Sequence, residues 1–482
     1  MELAAAWWSS FLGAVLFLVA VLLRRQRSRS RYRYSRLPPG PRPWPVIGNM
    51  NLIGPLPHRS LHELSARYGP LVSLRLGSFP VVVGSSVDMA RFFLKTHDLA
   101  FVDRPRLLGG RYIFYNCSDM LWAPYGAYWR QARKLCQAEL LSARQLRATE
   151  HVRDEEVRAA VRGLRAAADA GQCAAPVVLN DHLAMEFRWM VHELFFVGGV
   201  VAVGDFLPWT NWLDPQGYIR RMKKLHKMFD RFLDRVVDEH SDRRRREGEG
   251  FVPKDMVDLL LQLADDPNLE VPIERDGIKA FTLDLIAAGT DTSAVTVEWA
   301  LSELLRNPKA MAKATEELDR VVGRGRRVTE ADIPSLPYLE AIVKETFRLH
   351  PAGPLLAPRL AREDTSVGGY DIPAGTRVLV NVWAIGRDPA VWGESVDVKG
   401  QDLQLLPFGS GRRMCPGYVL GLTMVQLTLA NLLHAFAWRL PDGVAPEELS
   451  MEEKYGLSMP RLVPLEAVAE PKLPAHLYDG PM

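Results

Sequence analysis

The chain has few cysteines, little net charge and few strand-like runs, and each shortage excludes something. Its four cysteines, Cys117, Cys136, Cys173 and Cys415, are spread over 482 residues with no CxxC pair. That is neither a disulfide framework nor the ligand set of a structural zinc or iron–sulfur site. Any metal chemistry must rest on a single cysteine. A formal charge of +3 at pH 7 gives no ground for nucleic acid as a partner. No glycine-rich dinucleotide fingerprint is present, and there is no room for a flavin domain beside one large domain. No internal repeat occurs. What remains is an ordinary globular composition, 48% hydrophobic and 24% charged,.

Ala4 to Leu23 contains no charged residue. At about 1.5 Å per residue such a helix just spans a bilayer core of roughly 30 Å. Trp7 and Trp8 lie at one end, and Arg24, Arg25, Arg27, Arg29, Arg31 and Arg33 follow the other. Positive charge stays cytoplasmic, so the bulk of the chain is expected to face the cytosol. A cleaved signal peptide would carry its basic segment before the apolar run. Leu37 to Pro45 is proline-rich, a stiff extended connector. The expected division is an anchor at 1–23, a basic and proline-rich linker at 24–45, and one large domain at 46–482.

Val72–Leu76 and Val81–Val83 read as strands around a turn, and Thr376–Asn381 as another. Helical periodicity covers Tyr128–Gln137, Tyr218–His240, Gly277–Arg306 and Leu339–Leu349. Arg243–Gly250 reads as a solvated loop. The expected fold is mainly α with small sheets.

The strongest local signal is Phe408-Gly-Ser-Gly-Arg-Arg-Met-Cys-Pro-Gly417. A thiolate ligand must sit on a tight loop that can approach a flat macrocycle. Gly411 and Gly417 remove obstructing side chains and permit positive φ. Pro416 suits the first position of the apolar helix Leu420–Leu433. Cys415 is then at a helix N-terminus, where the dipole favours a thiolate. Arg413 is placed to pair with an acidic group of a cofactor, and Phe408 to keep water from the sulfur. An ordinary buried cysteine in a glycine-rich turn is the bland alternative.

This run resembles the heme-binding loop of the cytochrome P-450 superfamily, matching Phe-x-x-Gly-x-Arg-x-Cys-x-Gly at every fixed position. The resemblance implies heme b with Cys415 as axial thiolate, which favours O–O cleavage. Ala288-Gly-Thr-Asp-Thr-Ser293 puts poor helix formers inside a helix, as if it opened over a ligand. It resembles the family's oxygen-activation motif. By that likeness Thr292 holds oxygen or water, Asp291 feeds protons, and Leu283, Ala287 and Ala288 line the distal pocket. Glu345 and Arg348, at i, i+3, resemble a buried structural pair of the family. Trp129 and Arg133, at i, i+4, and Arg359 after Pro358 resemble its heme-propionate contacts. The likeness runs along nearly the whole chain and is nearest the plant microsomal type, similar to flavonoid hydroxylases. Thr376–Pro389 and Lys472–Tyr478 read like that group.

Two stretches depart from it. The family's Pro-Glu-Arg-Phe motif, whose arginine joins the Glu345–Arg348 pair, is absent between Trp392 and Phe408 (a loss near 392–398). A helix-sized piece is missing near 183–187.

The expected function is a monooxygenase of the endoplasmic reticulum membrane. It would act on a small flavonoid, phenylpropanoid or terpenoid with O2 and electrons from an NADPH-cytochrome P-450 reductase. That reductase would dock near Arg130, Lys134 and Arg412. Specificity is expected from Arg106–Phe114, Asp205–Asp214 and Asp284–Thr292. The alternatives are a non-catalytic, membrane-anchored relative with weak or no heme binding, motivated by the two losses, and an O2-independent isomerase or dehydratase, against which Thr292 and Asp291 argue.

Overall fold

A computed structural model describes residues 36–170, 182–391 and 397–478, with side chains from Glu186 onward in the second stretch. The predicted anchor, most of the basic linker, Cys173, the stretch 171–181 and Trp392–Val396 lie outside the described residues.

The sheet is small. β1 (Leu71–Leu76) and β2 (Phe79–Gly84) form the expected hairpin, with Leu76 opposite Phe79. β3 (Arg359–Leu360), β4 (Thr365–Val367), β5 (Tyr370–Ile372) and β6 (Arg377–Val380) follow. The strand order is β1-β2-β6-β3, and β6 runs parallel to β2 with Val81 opposite Arg377. β4 and β5 pair separately. The β3–β6 pairing sets Arg359 opposite Val378.

A further antiparallel pair joins Phe436–Arg439 to Val468–Pro471, and the longer helices make up most of the rest. α1 (Pro57–Tyr68), α2 (Ala127–Leu135), α3 (Glu150–Asp169) and α4 (His182–Gly199) come first. α5 (Tyr218–Glu247), α6 (Met256–Ala264) and the 32-residue α7 (Arg275–Arg306) follow. α8 (Pro308–Val321), α9 (Pro337–Leu349) and α10 (Tyr418–Ala435) complete the set. At about 1.5 Å per residue α7 runs roughly 48 Å. It is apolar on most of its circumference, so neighbours cover it from several sides. α4, α5, α6, α8, α9 and α10 all pack on it.

One apolar cluster joins Val297–Leu305 of α7 to Leu318 of α8, Val343 of α9 and Val425–Leu433 of α10. A second joins α4, α5 and the loop around Phe114 to Leu283 and Ala287 of α7. The site lies where these two clusters part.

One local expectation is corrected. Arg243–Glu247 is not a loop but the last turns of α5. The charges there are used: Arg243 pairs with the fully buried Asp258, and Arg244 reaches Asp265 and the Leu261 carbonyl. Gly248, at φ +54°, ends the helix,.

Candidate active site

The loop before α10 is shaped by two demands on Gly411. Its φ is +74°, and a Cβ there would lie 2.0 Å from the Leu94 carbonyl oxygen. Only glycine meets both. The loop closes on itself as the Cys415 amide donates to the Phe408 carbonyl at 2.9 Å. Phe408 packs edge-on against Phe347 of α9, ring centroids 5.5 Å apart, and against Tyr418. Pro416 is not the first helical residue. α10 starts at Tyr418 with Gly417 as its N-cap, so Pro416 belongs to the loop that leads into the helix. The Gly417 amide nevertheless donates to the sulfur. Burial raises the Cys415 thiol pKa, and that amide and Arg133 oppose the rise,.

Arginines crowd one side of this loop. Arg413 donates to the carbonyls of Val102, Met120 and Ala123, and its guanidinium sits 4.2 Å from the centre of the Trp129 ring. Trp129 Nε1 donates to the same Met120 carbonyl at 3.0 Å. Arg359 donates to Asp98 Oδ1 at 2.7 Å and to the Ser410 carbonyl at 3.0 Å. Arg104, missed in the sequence, donates to the carbonyls of Leu121, Ala357 and Pro358. Burial, and then the charge of Arg359, pushes Arg413 down to about 10. Burial lowers Arg104 and Arg359 as well. Arg133, partly buried on α2, has no hydrogen bond or ion pair among the described residues, and its charge is felt at Cys415.

Asp98, also missed, organises this side. It is 3% exposed and accepts from Arg359, from the Arg412 amide at 3.0 Å and from the Arg412 side chain at 3.0 Å. No motif marks it.

On the facing side, Ala288, Gly289, Thr290 and Ala294 are exposed although α7 is buried before and after them. A side chain on Gly289 would meet nothing within 4 Å. Burial also falls from Cys415 through the first turns of α10 to Met424. The two helices thus uncover each other beside the cluster that joins them. The expected opening of the helix is not observed. Thr290 and Thr292 return their hydroxyls to the carbonyls of Ile286 and Ala288, at 2.8 and 2.7 Å, so the helix stays continuous,. Asp291 turns away from this face. It is 7% exposed, accepts from Ser458 Oγ, and lies 3.9 Å from His192 Nδ1. Burial raises its carboxyl, and Ser458 and His192 oppose the rise.

Arg348 donates twice to Glu345, and once to the Gly386 carbonyl at 2.8 Å. The Glu345 side chain is 54% exposed, so the pair is partly at the surface instead of fully buried.

A soft donor on a thin loop, a facing helix stripped to small side chains, and more cation than anion on one flank fit an acid-bearing planar macrocycle. Arg133 is the group whose charge is left unmatched among the described residues.

The family model described as Cytochrome P450 matches residues 38–185 and 174–463. The two matched ranges overlap at 174–185. Trimethyltridecatetraene synthase of Zea mays is 52% identical over 92% of this chain and 90% of its own length. Dimethylnonatriene synthase of Zea mays is 48% identical, with all of both chains aligned. Flavonoid 3'-monooxygenase of Petunia hybrida is 44% identical over 92% of this chain and 94% of its own. The second alignment runs over 532 positions against 482 residues here, so at least 50 have no counterpart in this chain. A solved zebrafish cytochrome P450 with progesterone superposes with a TM-score of 0.73. It is 24% identical over 86% of this chain and 99% of its own, a likeness of fold.

Proposed function

The chain belongs to the cytochrome P450 family of heme-thiolate monooxygenases, and we propose that Cys415 is the residue that holds its heme. The carrying observation is the placement of that sulfur: on a glycine-thinned loop, under the Gly417 amide, opposite the small-residue stretch of α7. When bound, the heme supplies activation of O2, one atom entering the substrate and the other leaving as water.

The chain's own residues divide the remaining work. Gly411 and Gly417 keep the loop thin, and Phe408 shields its far side. Arg133 and Arg413, the latter backed by Trp129, offer cations to the acidic edge of the macrocycle. Arg359 holds the loop through Ser410 and Asp98. Glu345 and Arg348 brace α9 against Gly386. Ala288 keeps the opposing wall low. The Thr292 hydroxyl, partly exposed, holds oxygen or water. Asp291, with Ser458 and His192, supplies protons from the side away from the substrate.

The enzyme takes a substrate, O2 and electrons from a redox partner. We propose a membrane-bound NADPH-cytochrome P-450 reductase meeting the exposed Arg130, Lys134 and Arg412. A membrane-spanning helix at 1–23 would hold the 46–482 domain, through the 24–45 linker, on the cytosolic face of the endoplasmic reticulum. For the substrate we propose a small apolar metabolite, a terpenoid before a flavonoid or phenylpropanoid. Relatives at 52% and 48% identity are named for branched polyenes, and that at 44% for a flavonoid.

Reconstitution with the reductase tests the reading. Product should require both NADPH and O2. Thr292→Ala should lower product by about 10²-fold while NADPH is still consumed, now yielding peroxide, at the lower end of the roughly 10²–10⁴-fold effects of positioned proton-transfer groups. Product formed without O2, or Thr292→Ala coupling as tightly as the parent, contradicts it. The two shortened stretches favour one rival, a non-catalytic relative, which heme content after expression separates.

A further inference from the structure

None of the residues that crowd the Cys415 loop lines a cavity of about 390 Å³ between the β1–β2 hairpin, residues 106–117 and the 204–211 turn, whose walls come from two of the segments expected to set specificity. Arg377 of β6 forms part of its wall. That side chain is 6% exposed and stacks on Phe79 at 3.9 Å. Nη2 donates to the Asp205 carbonyl at 2.8 Å, but Nε and Nη1 are buried without an acceptor among the described residues. Buried guanidinium donors left unmet are costly and rare. Asn211 Oδ1, on the same cavity, is likewise buried without a donor.

Arg106 and Arg111 stand exposed at the rim. Asp205 is the one carboxylate among the described lining residues, and the Leu108 amide already occupies it at 2.6 Å. Three guanidinium groups therefore face one engaged carboxylate. Planar arginine forks match the oxygens of a phosphate, and a P–OH or neighbouring hydroxyl would satisfy Asn211.

We propose that this cavity binds a phosphate-class oxyanion, either as the free ion or as the headgroup of a lipid. The next turn offers the second source a route. Trp209, Trp212 and Leu213 are 61, 80 and 56% exposed, and exposed tryptophans favour a bilayer interface.

The test titrates the full-length protein with inorganic phosphate and, separately, with dihexanoyl phosphatidate. Ionic strength is held constant with sodium chloride, and phosphorus NMR line width and unfolding temperature are followed. Saturable binding is expected, weakened about tenfold or more in Arg106→Gln/Arg111→Gln. Both substitutions are at exposed side chains, so the variant should keep the parent circular dichroism. Arg377→Lys keeps the charge, loses the fork, and should also weaken binding. Saturation by free phosphate identifies the ion as sufficient, and saturation by phosphatidate alone identifies a lipid source. No response beyond the chloride control with either probe, or an equal response in the double variant, overturns the proposal.

Discussion

Four arginines surround the approach to Cys415, and three of them are satisfied by the protein. Arg413 and Arg104 each donate to three carbonyls, and Arg359 to Asp98 and Ser410. Arg133 alone of the four has no such partner among the described residues. The two kinds of arginine should therefore fail differently. Arg133→Ala should leave stability nearly unchanged and speed heme loss about tenfold, since a hydrogen bond to a charged group contributes about 1.5–3 kcal/mol. Arg359→Ala leaves buried Asp98 with Arg412 as its remaining cation and should cost about 3 kcal/mol of stability, the lower end of the range for breaking a buried pair. Heme transfer to apomyoglobin and urea unfolding measure the two. Unchanged heme loss in Arg133→Ala would contradict the assignment. Trp129 and Arg133 are legible in the sequence because i, i+4 spacing stacks them on one helix face. Asp98 is not, because it stands 261 residues from Arg359 and belongs to no recurring pattern.

At the scale of elements, α7 does more than line the site. Two turns before Asp291 it carries Asp284, whose Oδ2 accepts from the Met120 amide at 2.7 Å. The same short loop presents the Met120 carbonyl to Trp129 and Arg413. Asp284 thus ties the long helix to the loop that positions the arginine wall. Burial raises its carboxyl to about 7, and burial together with Asp284 raises neighbouring Asp119. A carboxyl raised in the folded state stabilises fully below its ordinary value near 4, and that contribution is lost as pH rises through about 7. The parent should therefore lose stability between pH 5 and pH 8. Asp284→Asn, which keeps an oxygen for Met120, should lose less over that range, by roughly 1 kcal/mol or more. Thermal unfolding at the two pH values checks this, and identical losses would rule out Asp284 as the titrating group. The existence of α5, α7 and α9 was readable from periodicity. The extent of α5 was not, because the charges of Arg243 and Arg244 resemble a solvated loop until Asp258 and Asp265 come near in space. The continuity of α7 through Gly289–Thr292 was also hidden, since the threonine hydroxyls back-bond where an opening was expected.

At the scale of the molecule, the chain lacks at least 50 positions that a relative carries, yet its described residues form the site's two walls and two apolar clusters behind them. Near 392–396 the Glu345–Arg348 pair keeps a further anchor at Gly386. The fold was legible because the heme-loop spacing and the long helix carry most of it, whereas the effect of the losses depends on packing that no motif records. The central claim is that this shortened chain still seats heme on the Cys415 thiolate. The reduced, carbon-monoxide-bound absorption spectrum of the full-length protein tests it most directly. Heme on the Cys415 thiolate should give a Soret band strongly shifted to the red that Cys415→Ala abolishes. No bound heme, or the shorter-wavelength band of a heme without thiolate in the parent protein, would contradict it.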